Sequence, residues 1–207
     1  MKQGPQKRGR ESADKEPAKK HGGPAAPAIQ RRADGTLIFD DAPDFCPNLL
    51  PQQVLEQGAF GGAYFRPIKS GVTGKTHAGE EEELAALFGH LDKSLVNSDV
   101  ADVARNKYRV KSGTDLAAWE GSGWIKAQDP YGWFQWYSRF VLGRRIADDA
   151  RQIQRWRNFA GPKGRFKLNL IGKIKRAEAS FDDAAISPVI RQGLLHWAYE
   201  LTAADLE

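Results

Sequence analysis

Between Arg139 and Arg176 the chain carries twelve bases against only two acids, Asp148 and Asp149, a local +10 in a protein whose net charge is +5. Clustered guanidinium and ammonium groups neutralise phosphate oxygens and release the counter-ions condensed on nucleic acid. Arg151 and Arg155 lie four apart and share one helical face with Ile153 and Trp156 opposite, while Lys163 and Lys167 share another with Phe166 and Leu170 inward. Gly161 to Gly164 would place backbone N–H groups at a helix N-terminus, where an anion is welcome. The phosphate-contacting set expected from spacing is therefore Arg144, Arg145, Arg151, Arg155, Lys163, Arg165 and Lys167. Tyr131 and Phe134 fall off the apolar face of the adjoining aromatic run, so they are expected to be exposed and free to stack on a base. The plainer alternative is a solvated basic face balanced by acids elsewhere, such as Glu80 to Glu83.

Other candidate chemistry fails on spacing. Gly71-Val-Thr-Gly74-Lys75-Thr76 suggests a phosphate loop, but Lys69 stands where the first glycine is needed and no apolar strand precedes it. His21, His77, His90 and His196 are scattered without close carboxylate or cysteine companions at ligand spacing, so neither a metal site nor any cofactor is expected. His196, beside the inward Trp197, reads as a packed histidine rather than a base. The paired acids Asp148–Asp149 and Asp182–Asp183 fall where helices begin and are explained by capping, as is Asp129. No catalytic residue is assigned. If there is one, Asp129, an acid amid aromatics, is the first choice.

The elements that must position these groups are mainly helical. Residues 1–34 hold four prolines, many charges and no aromatic side chain, and are expected to form a disordered tail ahead of one domain over 35–207. Within the tail, Lys7 and Arg8 precede Lys19 and Lys20 with the spacing of a bipartite nuclear import signal, which makes a nuclear location the expectation and a cytoplasmic one the alternative. Thr36 to Asp40 suggests a short strand or a docking point. A helix is expected from Pro51 to Gln57, then an irregular glycine-rich segment with room for a short strand pair, a helix carrying Leu84 to Leu91, and a short one from Asp115 to Glu120 capped by Thr114. Asp129-Pro130 should open a helix burying Trp133, Trp136, Tyr137, Phe140 and Val141 and ending near Gly143. Three more follow: from Asp148–Asp149 to Gly161, from about Pro162 through Ile174, and from Ser187-Pro188 to about Thr202. The class expected is all-α or predominantly α.

Composition bounds the rest. Cys46 is the single cysteine, which rules out an intramolecular disulfide and cysteine-rich zinc sites. No run approaches the roughly 18–20 apolar residues of a membrane span, and the N-terminus lacks the apolar stretch of a secretory signal, so no membrane partner is expected.

The segments Phe45-Cys-Pro-Asn-Leu, Gly58-Ala-Phe-Gly-Gly-Ala-Tyr-Phe-Arg-Pro-Ile, Asp129-Pro-Tyr-Gly-Trp-Phe-Gln-Trp-Tyr-Ser-Arg-Phe, Gly161-Pro-Lys-Gly-Arg-Phe and Ser187-Pro-Val-Ile-Arg-Gln resemble an uncharacterised family of hypothetical proteins from plants, algae and fungi. The likeness runs from about Pro43 to Leu201. Some members carry the automatic label vegetative cell wall protein, which is at odds with the missing secretory stretch, and the resemblance implies no assigned activity. Cysteine often stands in that family where Ser138 stands here, so no catalytic thiol is implied at this position. The function expected is that of a non-enzymatic, nuclear, nucleic-acid-binding domain, with DNA favoured over RNA. The alternatives are an enzyme acting on a nucleotide or base through Asp129 and an aromatic pocket, and a helical interaction module with an acidic protein partner.

Overall fold

The computed structural model describes residues 28–207. The candidate import signal at Lys7, Arg8, Lys19 and Lys20, together with His21, lies outside these residues. Eight helices are present among the described residues: α1 (Pro51–Glu56), α2 (Ala85–Phe88), α3 (Lys93–Val96), α4 (Leu116–Gly121), α5 (Trp133–Val141), α6 (Asp149–Phe159), α7 (Arg165–Ala177) and α8 (Pro188–His196). The one sheet among the described residues is an antiparallel pair of two-residue strands, β1 (Ile68–Lys69) and β2 (Thr76–His77). The protein is predominantly helical, as the apolar periodicity requires.

Local chemistry sets most element ends. Pro51 occupies the first turn of α1, where its missing N–H costs nothing, and the Gln53 side chain accepts from the Leu50 amide at 2.9 Å. Asp115 caps α4, accepting from the Ala118 amide at 2.9 Å; the cap expected at Thr114 is one residue early. The helix expected through Leu84 to Leu91 breaks into a 3-10 turn, Glu82–Leu84, and the four-residue α2. Nor does Asp129 cap α5, which opens later on Gly132 at φ 92°, a left-handed conformation open to glycine at little cost. A similar device ends α8 early: Ala198 sits at φ 55°, so the chain leaves the helix before Thr202.

Helix α5 is the hub. Eight of its nine residues are buried, because the irregular segment after α1 covers the side that its own periodicity leaves free. Phe60 and Tyr64 each place a ring 5.0 Å from Phe134, and Phe65 lies 5.4 Å from Tyr131. Tyr131 and Phe134 are consequently 3% and 2% exposed, which corrects the expectation that they face solvent. On the opposite side Phe45 meets Trp136, Phe140 and Trp156 at 5.2 to 5.6 Å. Helices α6, α7 and α8 pack in succession around this hub, with Trp156, Leu170, Ile174 and Leu194 buried. The chain already engages the fold ahead of residue 35: Ile29 packs on the core, and Arg31 donates to the Asn48 carbonyl at 2.7 Å.

Candidate functional site

The basic segment divides into two populations once partners are traced. Arg139 donates to Asp129 Oδ1 at 2.8 Å and also pairs with Glu80 and Glu83. Arg144 donates to both Asp129 oxygens at 2.7 Å, and Arg145 pairs with Asp41. Arg151 grips Asp148 at 2.6 Å, Arg157 reaches Asp44 at 3.3 Å, and Lys167, nearly buried, meets Asp205 at 2.6 Å and the Tyr199 hydroxyl at 2.7 Å. The continuous stripe expected from spacing is therefore not assembled. Arg144, Arg145, Arg151 and Lys167 are held by the protein's own carboxylates, and a phosphate would have to displace them. Among the described residues Arg155, Lys163, Arg165, Lys173, Lys175 and Arg176 have no such partner, and the first three line one cavity of about 800 Å³.

That volume lies in the usual range for small-ligand sites, roughly 300–1,000 Å³. One wall is a column of rings: Phe166 stacks on Phe159 at 4.1 Å, Phe159 on Trp197 at 5.0 Å, and Trp197 lies 4.6 Å from Trp133. Phe134 forms part of the lining, so the residue expected to stack in the open instead lies in the wall of a cleft. Trp119 and the half-exposed Trp124 close the far side. Among the described residues neither aspartate nor glutamate lines the cavity. Planar apolar walls with an uncompensated positive rim suit a ligand with a flat body and an anionic head.

The three cations are set by the α6–α7 turn. Gly164 approaches so closely that a Cβ there would lie 2.5 Å from the Phe159 carbonyl oxygen and 2.7 Å from the Ala160 nitrogen. Only glycine permits that turn, which brings Lys163 and Arg165 beside Phe159. Helix α7 then starts without a side-chain cap and without an acid in its first turn, leaving its dipole uncompensated at the rim. Arg155 reaches in from α6. Its guanidinium lies 5.5 Å from the Trp124 ring and 5.4 Å from that of Trp197, and its Nη1 donates to Gln152 at 2.9 Å. Burial, with the nearby Arg151 charge, pulls its pKa down to about 10, so it remains cationic at neutral pH yet poorly solvated.

His196 contributes a neutral edge to the same cavity. Its Nε2 accepts from the Phe60 amide at 3.2 Å, the Phe60 ring stacks on it at 4.1 Å, and burial pushes its pKa down to about 3. Because the fold prefers the neutral ring, an unfolded chain takes up the proton first on acidification. Stability from this group is complete above the unfolded value of 6.5 and is lost progressively as pH falls towards about 3. Between about pH 6.5 and 5, where most carboxylates stay ionised, urea unfolding should show a loss of about 1–2 kcal/mol that His196→Gln removes. An unchanged slope in that variant would show that other groups carry the dependence.

The wall bearing Trp119 and Trp124 is fastened by a carboxylate. Glu120 Oε1 accepts from the Gly71 amide and the Ser70 hydroxyl, both at 2.9 Å, while the amides of Val72 and Thr73 donate to Ser70 Oγ at 3.2 Å. The glycine-rich loop thus spends its donors on the protein itself, consistent with its failure as a phosphate loop. Nearby, Thr73 Oγ1 lies 2.7 Å from His77 Nε2, and His77 Nδ1 lies 2.8 Å from Glu80 Oε1. His77 therefore has a carboxylate beside it, as does His90, 3.1 Å from Glu56. The Thr73–His77–Glu80 order is that of a nucleophile, base and orienting acid. Yet the amides that would hold an oxyanion are already bonded to Ser70, and none of the three lines the aromatic cavity, so the cluster serves as a turn clasp.

Asp129 is fully buried between Arg139 and Arg144 and does not line the cavity, which leaves the enzymatic alternative without its working acid. Ser138 is buried too, its hydroxyl donating to the Phe134 carbonyl at 2.8 Å. Among the described residues no group of three or more His, Cys, Asp or Glu side chains is placed to hold a metal, and no helix is long and apolar enough to cross a membrane. No protein-family model, curated protein or solved structure matches this chain.

Proposed function

We propose that this chain is a non-enzymatic nucleic-acid-binding domain that accepts an unpaired nucleotide, with the base among the stacked rings and its phosphate on Arg155, Lys163 and Arg165. One observation carries this: the cavity-lining cations of the basic segment lack a carboxylate partner, and they meet at an aromatic cavity. Base-on-ring stacking contributes about 1–3 kcal/mol per base and tolerates any sequence. A duplex is a poor fit, because its bases are already stacked and the arginines that would follow its backbone are engaged by Asp41, Asp129 and Asp148. This narrows the ligand expected from sequence, nucleic acid with DNA favoured over RNA, to unpaired strands, and sets aside the preference between the two sugars. A nuclear location belongs to the same proposal and rests on the Lys7, Arg8, Lys19 and Lys20 pattern.

Titrating tryptophan fluorescence with a thymidine oligomer and with a duplex of equal length, at rising salt, tests this. One phosphate neutralised by the three groups gives a slope of log K against log salt of about −0.7 for a single strand. The duplex should bind at least about tenfold more weakly, and Arg155→Met should weaken single-strand binding by about tenfold or more. Absence of binding at low salt, or binding indifferent to salt, rejects the proposal. Saturation by an acidic peptide with no response to the oligomer assigns the cavity to a protein partner instead.

A further inference from the structure

We infer that the anionic head taken by this cavity is a terminal phosphomonoester, carried by a strand end or a free nucleoside monophosphate, and not the phosphodiester of a strand passing through. The inference rests on the nucleotide-binding proposal above. It follows from how few cations face the cavity: of the basic segment, Arg155, Lys163 and Arg165 line it. Lys163 and Arg165 flank Gly164 on one turn, and Arg155 faces the same cavity from the preceding helix.

A protein that holds the middle of a strand needs a positive track extending both ways from the bound base, since each neighbouring phosphate carries a charge. Here the nearest flanking cations of the basic segment are engaged, while Lys173, Lys175 and Arg176, without an ion pair among the described residues, lie two turns or more beyond Arg165 on α7 and do not line the cavity. On the α5–α6 side Arg144, Arg145 and Arg151 are paired with Asp129, Asp41 and Asp148, and along α7 Lys167 is turned into Asp205 and Tyr199. A passing strand would gain one phosphate contact and leave its neighbours without counter-charge. A terminal group avoids that loss on at least one side.

The charge count agrees. A phosphomonoester above its second pKa of about 6 carries about two negative charges and three acceptor oxygens, whereas a diester carries one charge and two free oxygens. Three cations and the uncapped start of a thirteen-residue helix are more than a diester uses. Arg155, desolvated between two tryptophan rings, gains most from a dianion, which would return its pKa towards the ordinary arginine range.

The experiment compares short thymidine oligomers ending in a 5′-phosphate, a 3′-phosphate or no phosphate, together with thymidine monophosphate, on the full chain at constant salt. At least one phosphorylated oligomer should bind about tenfold or more tightly than the plain one. The exposed-residue variants Lys163→Gln and Arg165→Gln should erase that difference, lowering the affinity for the phosphorylated oligomer to that for the plain one. The preference should also fade as pH is lowered through about 6, where the monoester takes up its second proton. Tight binding of the monophosphate alone assigns the site to free nucleotide; preference for a phosphorylated oligomer over the monophosphate assigns it to a strand end. Equal binding of the three oligomers overturns the inference while leaving the nucleic-acid proposal standing, and no binding by any probe overturns both.

Discussion

Replacing Asp129 with alanine should destabilise the protein by about 3–5 kcal/mol, the typical loss when one member of a buried ion-paired group is removed. Asp129 is completely buried and receives hydrogen bonds from Arg139 at 2.8 Å and from Arg144 at 2.7 Å. Burial works against the Arg139 charge, yet its hydrogen bonds to Asp129 and Glu83 outweigh it and hold the guanidinium above its usual pKa. Without the aspartate, Arg144 loses its carboxylate partner and Arg139 keeps only the more exposed Glu80 and Glu83. Most of the loss is thus the cost of stranded charge. Asp129→Leu combined with Arg144→Met should therefore recover part of it, since apolar replacement of a whole buried pair is often close to neutral. Urea unfolding measures both variants. A loss below about 1 kcal/mol in Asp129→Ala would mean that water reaches the site and that the pair behaves as a surface one. Because Asp129 does not line the cavity, ligand affinity of the folded variant should match the parent, whereas a catalytic carboxylate would not permit that.

The same residue shows where sequence and structure part company. Helices α5 to α8 were legible because their apolar spacing repeats over several turns, a signal that local sequence contains in full. The neutralisation of the basic segment was not. Only Asp148, three residues from Arg151, lies inside that segment; Asp41 is 104 residues from its partner Arg145, and Asp129, Glu80 and Glu83 come from loops and a short 3-10 turn. A local charge sum cannot register partners brought in by the tertiary fold. The exposure assigned to Tyr131 and Phe134 failed for a related reason. A helical wheel reports which face of α5 matches its own period, but the segment Phe60 to Phe65 that covers the other face has no period to detect. The site itself was half visible: Arg155, Lys163 and Arg165 stood out by charge, whereas Trp119 and Trp124 were brought to them by a wall anchored through Glu120.

Phe45→Ala should be the most damaging single truncation in the core, with an expected loss of about 3–5 kcal/mol. Phe45 belongs to no helix or strand, yet its fully buried ring lies within 6.5 Å of the rings of Phe39, Trp133, Trp136, Tyr137, Phe140 and Trp156. Four of these contacts are edge-on, the arrangement in which a ring's positive rim meets a negative face, so the loss includes geometry as well as buried area. Five of the six surrounding rings belong to helices α5 and α6, with Phe39 the exception, and have little freedom to collapse into the void. Phe45→Leu keeps most of the volume and should cost less, about 1–2 kcal/mol, the remainder reflecting lost ring-on-ring contacts. Urea unfolding with near-ultraviolet circular dichroism distinguishes the effects, because Trp133, Trp136 and Trp156 report directly on this packing. Equal losses for the alanine and leucine variants would show that ring geometry, and not the cavity, dominates. A loss under about 1 kcal/mol for alanine would place the organising centre of the core elsewhere.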